Sequence, residues 1–350
     1  MRAHGTSIVV ALLGVTLGCG HPAPGPAPQF VGFPDAVVGT TKRLAFHVAV
    51  RSTENSVEGQ ARAALDDLLR RDRGARIVRL RVFAVGSERL VIAQRVIGEA
   101  LAARHIPLPA LSLLGVQSLP GPGQLIEMES IGVGTRAINP HGLAFLAGLA
   151  SPTGEKTAAG LARVARAAGV SPTNVVRVSC FYESADQLDG ARKAVADTFP
   201  GAEAAFVQSY GSAATPAVEC EAVARLADTV GATRYFNLPG TTPSPNFSRA
   251  ALVSASQLAF TGTVVALGDS AADMHVLLDR VQASLTPLGG TLHDVAMAGN
   301  YWLTGAARDA LRPARNEAYG STVPAATGVF LTSLAPGNGT VALELTVPLR

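Results

Sequence analysis

Charged side chains alternate with apolar ones in several short runs of this sequence. Glu127 and Glu129 are interleaved with Ile126 and Met128, and Glu219 and Glu221 with Val218 and Cys220. Glu344 sits in a similar run from Thr340 to Thr346. A period of two is that of a half-buried strand, so the carboxylates of each run share one face. Arg79, Arg81 and Arg177 stand at matching positions of two further runs, Ile77 to Phe83 and Val175 to Phe181. Two chemistries fit these groups. The carboxylates can contact a ligand and orient water, or be solvated or salt-bridged parts of the framework. The arginines can bind an anion, or pair with the carboxylates, which is the preferred reading.

Other chemistries are excluded by spacing. The seven His never fall at H-x-x-x-H and no Cys pair assists them, so no metal site is expected. There is no G-x-S-x-G, no P-loop and no nucleophile–base pair. Gly132 to Ala137 imitates a dinucleotide fingerprint, but Asn139-Pro140 arrives where its helix would begin, so it reads as a turn. No cofactor is expected. Trp302, beside Tyr301, reads as packing in preference to a ligand platform. Cys180 and Cys220 are either buried thiols or a disulfide.

The elements that must position these groups occur three times. Leu-Ala-Phe appears at Leu44 to Phe46, Leu143 to Phe145 and Leu258 to Phe260. A strand-like run follows each copy at near-constant distance, ending in Phe83, Phe181 or Tyr301, and a third run follows at Leu125 to Ile131, Ala217 to Val223 and Thr340 to Thr346. Three ordered anchors predict repeats at 35–134, 135–230 and 231–350. Helical spacing predicts helices over 56–71, 155–169 and 270–288, and over 90–104, 186–199 and 306–319. Val57, Ala61, Ala64, Leu65 and Leu68 show the pattern in the first. The order within a repeat is ββαβαββ, an α+β, ferredoxin-like arrangement with both helices on one face of the sheet. About 100 residues cannot cover both faces, so the three free faces are expected to pack together as a single-chain pseudo-trimer, monomeric in solution.

Composition sets the compartment and the partners. The chain has 350 residues, 48% hydrophobic and 16% charged, which is not the composition of a disordered protein. A net charge of +3 gives no basic field for nucleic acid. Residues 1–18 have a basic start and an apolar run from Ser7 to Leu17, too short for a membrane span of about 20 residues but suited to a signal peptide. Thr16-Leu17-Gly18-Cys19 resembles a lipobox, with Cys19 as the lipidation residue; an ordinary cleaved signal is the alternative. Residues 19–34 are Pro-rich and read as an extended tether. The expectation is a bacterial envelope protein held by its lipid alone, with Gly20 pointing to the outer membrane, periplasmic side.

Pro109 to Ser112 through Leu119-Pro120, then Ile126 to Ile131, resemble the C-terminal half of RidA (YjgF-type) proteins, as do Arg315 to Tyr319, Val323 to Ala326 and Leu334 to Pro336. The resemblance covers nearly everything after residue 35, once per repeat. It implies a chorismate-mutase-like fold, trimers with ligand clefts between protomers, and hydrolysis of reactive enamines and imines. The family's carboxylate-binding Arg falls at Leu111, about Ala204 and Ala326, so all three copies lack it. Such a charge-assisted bond contributes about 1.5–3 kcal/mol. The family's ring-forming Tyr becomes Phe247. The carboxylate that handles the attacking water matches Glu127 and Glu219, and in the third repeat either Ala342 or, two residues on, Glu344. Asn316 and Tyr319 match the second-helix pair, and Gly262 matches the Gly after the second strand. The resemblance therefore implies small-metabolite binding in one or more inter-repeat clefts, with imine deamination lost or reduced. A working deaminase of the 2-iminobutanoate/2-iminopropanoate type, using Glu127, Glu219 or Glu344, is the alternative. An interaction module with closed clefts is the third reading.

Overall fold

The computed structural model describes residues 32–211, 215–335 and 337–350. The expected leader, Cys19 and most of the tether lie outside the described residues. The fold is mixed α/β, with three sheets and six helices among the described residues.

A first stretch contains β1 (Ala36–Thr40), β2 (Leu44–Val48), α1 (Val57–Arg71), β3 (Arg76–Val85), α2 (Ser87–Ala103), β4 (Ala110–Val116) and β5 (Ile126–Val133). A second contains β6 (Leu143–Ser151), α3 (Gly154–Ala167), β7 (Val175–Tyr182), α4 (Leu188–Thr198), β8 (Glu203–Gln208) and β9 (Val218–Arg225). The third contains β10 (Thr233–Phe236), β11 (Ala250–Val253), β12 (Gln257–Thr261), β13 (Val264–Ala266), α5 (Ala271–Leu285), β14 (Met297–Trp302), α6 (Gly305–Tyr319), β15 (Ala325–Phe330), β16 (Ser333–Leu334) and β17 (Val341–Leu349). In every unit the strand between the helices pairs parallel with the next strand and antiparallel with the last one. Ser56, Thr153, Ser270 and Thr304 cap four of the helices, each accepting a main-chain N–H three residues on.

The opening strands depart from the expected ββαβαββ sheet. β1 pairs with β12, with Val38 opposite Ala259, and β11 pairs with β6, with Ala251 opposite Phe145. Each thus crosses onto the sheet of another unit. Pairing at either edge satisfies the same main-chain groups and the same alternation, so local sequence does not distinguish them. The crossing also covers a sheet edge that would otherwise be open.

Each unit has its own helix–sheet core. Leu65, Leu68, Leu80 and Val82 mark the first, Leu161, Val164, Val178 and Phe199 the second, and Leu277, Val281, Leu311 and Leu345 the third. Two further clusters draw on all three units. One contains Phe46, Phe145 and Phe260; the other contains Phe83, Phe181 and Tyr301. Main-chain bonds join the units in turn: Gln117 N–H to Gln208 O at 2.8 Å, Tyr210 N–H to Phe330 O at 3.0 Å, and Thr332 N–H to Gly115 O at 3.1 Å. Cys180 and Cys220 face each other across β7 and β9 and form a disulfide, which decides between the two readings left open above.

Candidate functional site

The charged strand residues meet between the two shared apolar clusters. Arg79, Arg81 and Phe83 follow one another on one face of β3, as Ile131, Glu129 and Glu127 do on β5. Arg81 donates to Glu129 at 3.1 Å, to Glu221 at 3.0 Å and also to Glu344, so it touches one carboxylate from every unit. Arg177 donates to Glu129 at 3.4 Å and to Glu221 at 3.2 Å, and Arg79 lies 3.8 Å from Glu344. Each carboxylate also accepts from a hydroxyl of the next unit: Glu129 from Ser179, Glu221 from Thr327 and Glu344 from Ser112, all at 2.6 Å. All six charged side chains are buried. Burial alone would raise the Glu344 carboxyl, but the charges of Arg81 and Arg79 and the bonds from Arg81 and Ser112 hold it well below the usual range. This is the pairing arrangement: three guanidiniums against three carboxylates.

The register also decides the third unit. Phe83 pairs with Glu127 and Phe181 with Glu219, and their counterpart Tyr301 pairs with Ala342. Glu344 pairs with Gly299, as Glu129 does with Arg81 and Glu221 with Ser179. Glu344 therefore belongs to the ionic layer, where Arg81, Ser112 and Tyr301 occupy it. The position matching Glu127 and Glu219 is Ala342. Leu111, Ala204 and Ala326 occupy one equivalent register, opposite Leu80, Val178 and Ala298.

The three junctions differ. Between the first and second units, Glu127 accepts from Gln124 at 2.6 Å, and burial pushes its carboxyl up to about 8 against that bond. Arg71 and His47 engage Glu203 across the same junction. Between the third and first, Gly262 lies against the Leu111 main chain, where any Cβ would collide, and Thr263 N–H donates to Leu111 O at 3.2 Å. That junction has Ala342 for a carboxylate and backbone where a ligand would sit.

The junction between the second and third units is open. A cleft of about 340 Å³ is lined by Gly148, Glu219, Phe247, Arg249, Trp302 and Arg315, among others. Gly148 and Gly328 keep space there, since a Cβ on the first would strike Glu219 and on the second Trp302. Glu219 accepts from Gly328 N–H at 3.2 Å. Burial pushes its carboxyl up to about 7; the Gly328 bond lowers it, and the charges of Glu221 and Glu183 raise it further. The carboxyl thus sits near neutrality.

Guanidiniums reach this cleft from outside the position where the sequence looked for one. Arg308, Arg312 and Arg315 line it from α6, and Arg249 from the segment entering β11. Arg315 is only 7% exposed. It donates to Asn300 Oδ1 and to the Asn246 carbonyl, both at 3.0 Å, while its Nε–H has no partner. The indole N–H of Trp302 is likewise buried and unpartnered. Arg249 stacks on Phe247 at 5.0 Å. Of the expected binding residues, Phe247 lines the cleft, Asn316 braces Asn246 at 3.2 Å, and Gly262 lies at the closed junction. Tyr319 is buried in the third core, its hydroxyl unpartnered and pushed by burial up to about 12. Arg249, Asn246, Asn300 and the α6 arginines were missed as residues lining the cleft. The spacing of Arg308, Arg312 and Arg315, one stripe of a helix, is the signal that marks them.

No protein-family model matches the chain, and no curated protein matches it. Solved structures similar to parts of it include YjgF/Rid-family proteins. One is a Rid-family protein of unknown function, YyfB, from Yersinia pestis, 22% identical, covering 34% of this chain and 99% of its own, with a TM-score of 0.31. Another is a YjgF/YER057c/UK114-family protein from Mycobacterium tuberculosis, 21% identical over 33% of this chain and 99% of its own, at 0.25. A YjgF-family protein from Neisseria meningitidis is 24% identical over 34% of this chain and 95% of its own, also at 0.25.

Proposed function

We propose that the chain is a RidA-like pseudo-trimer folded from one polypeptide, which binds a small anionic metabolite in the cleft between its second and third units. The observation that carries this reading is the cleft's combination of a near-neutral carboxyl, Glu219, with the buried, incompletely satisfied guanidinium of Arg315. A buried donor without a partner is costly, and an anion that accepts from it relieves that cost. Among the described residues Gly262 meets the Leu111 main chain at the third–first junction and Gln124 occupies Glu127 at the first–second, so the ligand is placed between the second and third units.

A second reading, enamine or imine deamination, is favoured by Glu219 itself. A carboxyl near 7 is half ionised at neutral pH and suited to accept a proton from water attacking a bound imine. The other contacts of the cleft would then hold the substrate's carboxylate, in place of the arginine absent at Ala326. Envelope location belongs to the same proposal. A lipid on Cys19 and the tether to residue 34 would present the units outside the cytoplasm, and a buried disulfide suits an oxidising compartment.

Two assays test this. A thermal-shift screen with small carboxylates and phosphate monoesters should give stabilisation of about 2.7 kcal/mol at a hundred-fold excess over Kd. No shift with any of them refutes binding. Imino acids generated in situ, with semicarbazide trapping the remainder, test the chemistry. Accelerated loss at sub-stoichiometric protein establishes deamination, and unchanged loss limits the protein to binding.

A further inference from the structure

The charge around the open cleft exceeds what a simple carboxylate would neutralise. Arg249, Arg308, Arg312 and Arg315 all line it. Arg308 donates to Asp309 at 2.9 Å and Arg312 lies 3.5 Å from the same carboxylate, so one acid serves two guanidiniums. That acid is ionised: the bond from Arg308 holds it below its ordinary value. No ion pair among the described residues involves Arg249 or Arg315. Glu219 does not supply the missing charge, because its carboxyl rises where a nearby guanidinium would have lowered it. The cleft is therefore polarised, with an uncharged or half-charged carboxyl at one side and two guanidiniums without an acid at another.

From this we infer that the ligand is a compact dianion, a dicarboxylate or a phosphate monoester, in place of a monocarboxylate. The inference rests on the proposed cleft-binding function and specifies its ligand class. Arg315 and its unpartnered Nε–H engage one anionic group. Arg315 is fixed from two sides, by Asn300 and Asn246, so it is held ready for a planar two-point contact. Arg249, its side chain stacked on Phe247, takes the second charge. Both dianions share this chemistry. The phosphate offers its charges on one centre, and the dicarboxylate offers them apart.

The test uses the full chain at pH 7, with butyrate, succinate and glycerol 3-phosphate titrated separately by calorimetry. At least one dianion should bind about ten-fold or more tighter than butyrate, the effect of one additional charge-assisted contact. Whichever dianion binds more tightly identifies the source of the second charge. In the Arg249→Gln variant, with its ligand-free melting temperature unchanged, the ratio of dianion to butyrate affinity should collapse to within about three-fold. Equal affinity for all three probes overturns the dianion inference and leaves cleft binding standing, as does an advantage that persists in Arg249→Gln. Failure of every probe to bind overturns both.

Discussion

Replacing Glu344 by Gln tests the ionic layer that joins the three units. Arg79, Arg81 and Glu129 give the first unit a surplus of one positive charge there. Arg177 and Glu221 make the second neutral, and Glu344 leaves the third one negative. The layer balances only when one of each unit is present. Glutamine keeps the shape and removes the balancing charge, stranding Arg79 in a buried site while Arg81 keeps Glu129 and Glu221. Breaking a buried pair in this way costs about 3–5 kcal/mol. Urea denaturation of the full chain at pH 7 should show that loss as a lower midpoint. Adding Arg79→Met should recover part of it, because Arg79 has Glu344 as its ion-pair partner and otherwise rests against the Phe260 ring, 5.5 Å from its guanidinium. The acid limb provides an independent check. The Glu344 carboxyl is depressed in the fold, so its contribution is present above the ordinary carboxylate range and lost as pH falls toward the folded value. Wild type should therefore lose more stability than Glu344→Gln on acidification below about pH 5. A variant within about 1 kcal/mol of wild type at pH 7, with an unchanged acid limb, would refute the reasoning.

Anion binding in the cleft should weaken as pH rises through about 7, since ionised Glu219 repels the ligand, and Glu219→Gln should remove that dependence in calorimetric titrations at pH 6 and 8. Gly148→Val should abolish ligand-induced thermal shifts by crowding Glu219 and the Thr327 backbone; retained binding would place the ligand elsewhere. The disulfide closes a 40-residue separation. Its removal by paired Cys180→Ala and Cys220→Ala should cost about 4 kcal/mol on chain-entropy grounds, read as a lower urea midpoint that reductant no longer changes.

Much of the fold was legible in local pattern. Helices formed where apolar residues recurred at helical spacing, as in α1 from Val57 to Arg71. The alternating Glu runs became β5 and β9, with Glu129 and Glu221 turned away from the helices into the shared layer. The crossing of β1 and β11 was not legible, because strand pairing is a choice between equivalent edges. Nor was the register of β17, where a slip of two residues preserves the face and only the pairing of Tyr301 with Ala342 decides. The cleft was half legible. Glu219 could be found by its position on the strand, whereas Arg249, Asn246 and Asn300 come together only through tertiary contacts. Ala326 lines the cleft without a guanidinium, and α6 supplies the charge that this position lacks.

The most direct test of the account is a crystal structure of the full chain grown with succinate or glycerol 3-phosphate, whichever binds more tightly. The account predicts one anion per chain, between the second and third units, accepting from Arg315 and Arg249. An anion at the other two junctions, or an empty cleft with the ligand bound elsewhere, would contradict it.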